Sequence, residues 1–418
     1  MILFEFKLIS LLFLIIASTN GFEEYKGYKI YEIIPSSVTQ SNILYKISLK
    51  NEEIDMLTLT KLPNVPARAL VPPKHQQKFE NDLISNGITF RLINSNVSNS
   101  IFYNNFHNFF KRATRQHILE DYYRYNEINS FLKDLAERFP ERVSVKKVGD
   151  SYEGRAINAI TITNGKNSLT SKNVIFIDAG IHAREWIAPS TALYIIYQLV
   201  EKFDENKHLL ENYDWIVIPL VNVDGYEYTH KSQRFWRKTR KPSSAICYGT
   251  DGNRNFDFHW GEQGASSLPC QETFKGEKAF SEPETQIVRD ILLSLTGRGK
   301  MYLTLHSYGN LLLYPWGYTS ALPENWKDLD EVCKAGSNAI KLSTGTNYRV
   351  GSSTNVLYAA AGGSDDYALG VAKIPIAVTM ELPSGGSGFD PKPSQIRKMV
   401  TEAWIGIKAM AEKVIEKY

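Results

Sequence analysis

His182 and Glu185 stand three residues apart in Gly180-Ile181-His182-Ala183-Arg184-Glu185-Trp186-Ile187, directly after the apolar run Val174-Ile175-Phe176-Ile177-Asp178. An imidazole nitrogen and a carboxylate are donors that a catalytic zinc site takes, together with a third protein ligand and one open position for water. A bare His-x-x-Glu is also the pattern of a solvated ion pair, so the third donor decides. Of the eight histidines, His306 is the best placed: it follows Tyr302-Leu303-Thr304-Leu305 and opens Ser307-Tyr308-Gly309. Zinc lowers the pKa of a bound water to about 7 and polarises a carbonyl. A general base must still take that water's proton and pass it to a leaving amine. Glu381 closes the apolar run from Ile374 to Met380. A carboxylate ending a buried strand is costly unless it has a task or a partner.

These residues need strand ends that converge. Strands are expected at Val143–Val148, Ile157–Thr163, Val174–Asp178, Trp215–Ile218, Tyr302–Leu305 and Pro375–Met380. Helices are expected at Glu127–Phe139, Thr191–Phe203, Glu282–Leu295, Leu329–Leu342 and Gln395–Glu416, with Asn222–Gly225 as a loop. Strands that alternate with helices predict an α/β fold, a mixed and largely parallel sheet flanked by helices. Residues 22–100 read differently. Alternating patterns predict strands at Tyr25–Ile34, Ser41–Leu49, Met56–Lys61, Ala67–Val71 and Ile88–Ile93, and Gln76–Asn86 predicts a short helix. That is a small α+β module.

Bulk properties narrow the function. The chain is 43% hydrophobic and 22% charged, and its net charge of +3 gives no reason to expect nucleic acid or a membrane surface as partner. Lys7, the apolar run Ile9–Ala17 and the small or polar residues Ser18–Gly21 read as a secretory leader over 1–21. An exported, extracellular protein follows. Three cysteines fit an oxidising compartment if two pair, and Cys247 with Cys270 would staple a surface loop. Cys333 is then a buried free thiol or an intermolecular partner. Asn96-Val97-Ser98 is a glycosylation sequon. Lys111-Arg112-Ala113-Thr114-Arg115 lies in a polar connector, the kind of exposed linker a trypsin-like protease reaches.

Taken together, the motifs resemble those of zinc metallocarboxypeptidases of the pancreatic carboxypeptidase A/B group. Gly180–Trp186 matches the zinc motif of that family, Leu305-His306-Ser307-Tyr308 its third-ligand motif, and Met380-Glu381-Leu382 its glutamate base. Phe235-Trp236-Arg237-Lys238-Thr239-Arg240 and Asp251-Gly252-Asn253-Arg254-Asn255 match two more blocks. The resemblance implies one zinc ion per chain on His182, Glu185 and His306, with Asp251 orienting a zinc histidine. It implies Arg237 as the electrophile beside the scissile carbonyl, and Asn253 and Arg254 as the clamp on the substrate's terminal carboxylate. Arg184, Ser307 and Tyr308 would lie along the cleft. A planar guanidinium fork suits a carboxylate, which supports the clamp on physical grounds. The resemblance also implies a ferredoxin-like propeptide over 22–112, clipped near Arg112 or Arg115, and a catalytic domain over 113–418 that acts as a monomer on peptide or protein C-termini. One departure stands out: after Glu381 the pancreatic enzymes continue Leu-Arg-Asp, and here the chain reads Leu382-Pro383-Ser384-Gly385-Gly386. Phe389 still matches an aromatic of the pocket wall.

Leu357–Tyr367 matches the family's tyrosine segment and pocket floor, with Tyr358 folding over substrate. The residue after Ser364, which by resemblance sits at the pocket base, is Asp365, and the small Ser353 leaves room for a long side chain. A carboxylate there selects Lys or Arg ends and disfavours apolar ones by leaving a charge unpaired. The expectation is a secreted zymogen of a B-type zinc carboxypeptidase. The alternatives are an A-type preference for aromatic or aliphatic ends and a homologue that binds peptides without cleaving them.

Overall fold

The computed structural model describes residues 24–51, 53–98, 118–165, 172–386 and 388–418. The expected leader, the basic stretch Lys111–Arg115 and the boundary at 112/113 lie outside them. By contact the chain divides into two units: Met1–Gln116 with Glu227–Trp236, and His117–Tyr226 with Arg237–Tyr418. No helix among the described residues is long and apolar enough to cross a membrane.

The first unit runs β1 (Lys29–Ile34), α1 (Val38–Lys50), β2 (Asp55–Thr58), β3 (Ala67–Val71), α2 (Gln76–Ser85) and β4 (Thr89–Asn94). Its strands pair antiparallel in the order β2-β3-β1-β4, the split βαβ arrangement of a ferredoxin-like fold. Tyr31, Ile33, Leu44, Phe79 and Leu83 form its core. The strand expected at Ser41–Leu49 is a helix. Ser37 caps it by accepting from the Gln40 amide at 3.2 Å. Leu44 is buried, with Ile43 and Ile47 packed against the same core, while Leu49 is 54% exposed. A short run with apolar residues at 43, 44, 45, 47 and 49 satisfies period 2 and period 3.6 alike, and the cap settles it.

The second unit begins with α3 (Tyr125–Arg138), β5 (Val143–Asp150), β6 (Ala156–Ile162), β7 (Asn173–Ala179), α4 (Ile187–Val200), β8 (Tyr213–Ile218) and α5 (Val223–Lys231, the last part of which falls in the first unit). It continues with α6 (Pro283–Ser294), β9 (Gly299–Ser307), β10 (Leu311–Tyr314), α7 (Trp326–Thr344), β11 (Arg349–Ser352), α8 (Ser364–Gly370), β12 (Ile376–Leu382) and α9 (Pro393–Lys417). The expected loop at Asn222–Gly225 is therefore the entry to a helix. The sheet order is β11-β10-β12-β9-β7-β8-β6-β5. Its middle, β12-β9-β7-β8, is parallel, and β6 and β5 are added antiparallel on one side. Every residue from Val174 to Ala179 is buried, as is every residue from Met301 to Ser307. Consecutive burial means that both faces of these strands are covered. Helix α9 packs on both α4 and α7, and α4 and α9 also pack on β9.

Glu284, in the first turn of α6, is fully buried. Burial, with Glu282 and Asp224 nearby, pushes its carboxyl up to about 8 from an ordinary 4.5. The folded state then holds a proton that the unfolded state has lost. Stability is full below pH 4.5, declines as the pH rises, and has been lost once the pH passes about 8. Glu284→Gln keeps the shape and removes the titration. Thermal unfolding at pH 8 should show a gain of about 2 kcal/mol, with no gain at pH 4. An equal effect at both pH values would mean that ionisation of Glu284 is not what destabilises the fold.

Candidate active site

Because β12, β9 and β7 are parallel neighbours, their C-terminal ends lie along one edge of the sheet. Glu381 on β12 pairs in register with His306 on β9, and Ala179 on β7 with Leu305. Gly180, at φ +70, turns the chain out of β7 towards His182, and a Cβ there would collide with Leu220 at 2.8 Å. Helix α4 starts at Ile187, so Glu185 is held between strand and helix.

His182, Glu185 and His306 each offer a ligand atom, and these atoms all lie within 4.8 Å of one another. His182 Nε2 is 3.0 Å from Asp251 Oδ1, which makes Nε2 the protonated nitrogen. Its Nδ1 then turns a lone pair towards Glu185 Oε1 at 2.8 Å and His306 Nδ1 at 3.1 Å. His306 Nδ1 also meets Glu185 Oε2 at 3.1 Å. Acceptors that face one another need a cation or a proton between them. Two imidazoles and a carboxylate are a zinc donor set, so the residues fit that ion. The electrostatics agree. Burial lowers His182, and Arg237 adds to this. For His306, burial acts downwards, but Glu185 outweighs it and pushes the ring up to about 9. Burial would raise Glu185, yet the two imidazoles hold it far below the carboxylate range.

Asp251 is the anchor for the polar residues around the triad. Arg237 donates to its Oδ2 from Nε at 3.1 Å and from a terminal nitrogen at 3.0 Å, and the Asn253 amide donates to Oδ1 at 3.0 Å. Burial favours the protonated acid, but Arg237 and Arg254 prevail and hold Asp251 well below the usual range. Arg254 donates from Nε to Gly264 O at 2.8 Å. The Asn253 side-chain oxygen accepts from the Ser364 amide at 2.9 Å, which ties this loop to α8. The Ser307 amide donates to Glu185 Oε2 at 3.1 Å.

A second cluster lies at Asp365. Its Oδ2 accepts from Thr379 at 3.1 Å and lies 3.5 Å from the Ser353 hydroxyl, and its Oδ1 accepts from the Asp366 amide at 3.0 Å. Thr379 was missed in the sequence, although strand alternation puts it on the same face of β12 as Glu381. Asp366 accepts from the Gly317 and Tyr318 amides. The Arg184 guanidinium stacks 4.5 Å over Phe389 and lies 3.6 Å from Glu272. Tyr308 meets the same Phe389 ring edge-on at 4.8 Å. Tyr358 is half-buried on its own segment. Cys247 and Cys270 form a disulfide, and Cys333 is buried and free.

Comparison with known proteins agrees with this architecture. Residues 128–406 match the family described as zinc carboxypeptidase, and residues 31–102 match the carboxypeptidase activation peptide. A carboxypeptidase B of Helicoverpa zea is 39% identical over 409 residues, 94% of each chain. A carboxypeptidase B of Astacus astacus is 45% identical over 300 residues, 71% of this chain and 98% of that one. The crystal structure of a carboxypeptidase A from Helicoverpa armigera superposes with a TM-score of 0.87 at 32% identity, covering 94% of this chain and 98% of that one. Relatives named A and B occur together, so the names do not decide the pocket. With its ferredoxin-like leading unit, its mixed sheet and the donors gathered at the sheet edge, the chain belongs to the zinc carboxypeptidase family and carries that family's activation peptide.

Proposed function

We propose that this chain is a secreted zymogen whose mature form, from about residue 113, removes single C-terminal residues from peptides, with Lys or Arg preferred. The observation that carries the reading is the meeting of His182, Glu185 and His306 within 4.8 Å, beside Glu381. One zinc ion per chain is held by that triad, and when bound it supplies a Lewis acid that polarises the scissile carbonyl.

The remaining steps belong to the chain's own residues. Glu381 takes a proton from the attacking water and delivers it to the nitrogen of the departing residue. Arg237, braced on Asp251, supports the oxyanion. Asn253 and Arg254 grip the terminal carboxylate and Tyr358 closes over it. Asp365, with Ser353 and Thr379 around it, receives the basic side chain. Arg184, Ser307 and Tyr308 line the approach. Activity requires a trypsin-like protease to cut near Arg112 or Arg115 and release the activation peptide, residues 22–112.

The test is to treat the proenzyme with trypsin and compare hippuryl-Arg, -Lys, -Phe and -Leu, with and without a chelator. Activity should appear only after cleavage, vanish on chelation and return with zinc. The basic ends should be favoured by about tenfold or more. A Phe or Leu preference would give an A-type enzyme. Bound zinc with no cleavage of any substrate would leave only a peptide-binding homologue.

A further inference from the structure

His306 has a second ring nitrogen, and its proton needs an acceptor. Nδ1 faces Glu185 and His182, so the proton belongs on Nε2, as it does on His182. Asp251 accepts the His182 proton at 3.0 Å. His306 Nε2 is buried and has no hydrogen-bond partner among the described residues, which is an expensive state for a donor. A complementary orphan lies on the neighbouring strand. Asp178 is fully buried on β7, in register with Thr304 on β9. By alternation Tyr302, Thr304 and His306 share one face of β9, and the Tyr302 hydroxyl donates to Asp178 Oδ2 at 2.6 Å. The other carboxyl oxygen, Oδ1, has no partner among the described residues. Burial raises the Asp178 carboxyl, and Tyr302, Thr304 and His306 in turn oppose the rise, so the carboxyl and the metal-site imidazole act on each other. Two hydroxyls complete the group. Burial and then Asp178 raise the Tyr302 hydroxyl while Ser364 and Thr304 counter them, which puts both side chains beside it. Neither Thr304 Oγ1 nor Ser364 Oγ finds a partner in hydrogen-bond geometry among the described residues.

We propose that one buried water accepts from His306 Nε2 and donates to Asp178 Oδ1, so that Asp178 is the positioning residue for the second metal histidine as Asp251 is for the first. This rests on the reading that His306 holds zinc. A buried water makes about three hydrogen bonds to polar groups that are otherwise unsatisfied. His306 Nε2, Asp178 Oδ1, Thr304 Oγ1 and Ser364 Oγ are such groups, with one donor, one acceptor and two hydroxyls that can be either. No direct hydrogen bond joins Nε2 to Oδ1, which leaves a bridging water as the link. Its effect falls on tautomer and ring angle. With the Nε2 proton anchored, Nδ1 keeps its lone pair on the ion. Asp178 reaches His306 from the next strand and Asp251 reaches His182 from a separate loop, so the two rings are held independently.

The experiment measures zinc affinity of the trypsin-activated enzyme, stripped with a chelator and titrated with zinc against a competing indicator. Asp178→Ala should weaken zinc binding by about 10- to 100-fold. Asp178→Asn keeps an oxygen acceptor on the same stem and should retain most of the affinity. Tyr302→Phe removes the bond to Oδ2 and leaves Oδ1 in place, so it should bind zinc like the wild type. A loss in Tyr302→Phe as large as that in Asp178→Ala would show a general disturbance of this face of the sheet and overturns the proposal, as does unchanged affinity in Asp178→Ala. Should Asp178→Ala fail to fold, proton spectra of zinc-loaded enzyme with ring-labelled histidine decide. The Nε2 proton of His306 should exchange slowly with solvent, and its resonance should move in Asp178→Asn. A proton that exchanges freely, or that ignores Asp178→Asn, refutes the link. Wild-type enzyme that takes up no zinc refutes the functional reading itself, whereas tight zinc binding indifferent to Asp178 refutes this inference alone.

Discussion

Glu381→Gln is expected to keep zinc and lower kcat on a C-terminal arginine substrate by roughly 10³-fold, with KM little changed. The amide fills the space of the carboxylate at the end of β12, in register with His306, so neither the sheet nor the triad should shift. What it cannot do is accept a proton and release it. Glu381, largely buried, is pushed up to about 7 by burial; His306 pulls it down, Glu185 pushes it up and Arg237 pulls it down. A base poised near neutrality is the best compromise between being unprotonated and taking a proton readily. The sign of the pH dependence follows. The base must be ionised, so kcat/KM should fall as the pH drops through the folded value. A bound cation beside it shifts that limb below 7. Zinc content, measured alongside the rates, separates loss of the base from loss of the metal. A variant that retains a tenth of the wild-type kcat would remove Glu381 from the chemistry.

How much of this site can be read from sequence depends on what each residue does locally. His182 and Glu185 are legible because a buried strand ends just before them, and His306 and Glu381 because each closes an apolar run. That those runs are neighbours is not legible. It depends on pairing between segments far apart in the chain, and a parallel β12-β9-β7 order is what lines up the three ends. Arg237, Asp251, Asn253 and Arg254 sit where no periodicity marks them, so only resemblance to a family picks them out. The hydrogen bonds to Asp251 then show why they come as a group. Thr379 had a usable signal, alternation with Glu381, but a threonine in a strand reads as ordinary until a carboxylate is found against it. The misread helix Val38–Lys50 and the short strands β10 and β11 escaped for a different reason: over four to thirteen residues the apolar pattern underdetermines the period.

Asp365→Ala should lower kcat/KM for arginine ends by about 3 kcal/mol, roughly 150-fold, and raise it for phenylalanine ends. Two adjacent acids, Asp365 and Asp366, are both buried, and they differ in their partners. Asp366 spends its oxygens on the Gly317 and Tyr318 amides. Asp365 accepts from two side-chain hydroxyls and one amide, with no cation among its hydrogen-bond partners within the described residues. At 5% exposure its carboxyl is raised above the ordinary value, chiefly by burial. On the proposed basic preference, a lysine or arginine side chain would provide a positive charge and hold Asp365 ionised. An apolar end does neither, and it pays for a desolvated acid that gains no partner. Removing the carboxylate therefore changes both terms of the selectivity ratio in opposite directions. Asp366→Asn is the control: it weakens the acceptor for two backbone amides, so it should lower the unfolding temperature and leave the Arg-to-Phe ratio largely intact. If Asp365→Ala leaves that ratio where it was, the basic preference has some other origin, because no change in overall fold stability can mimic a reciprocal shift between two substrates measured on one enzyme preparation.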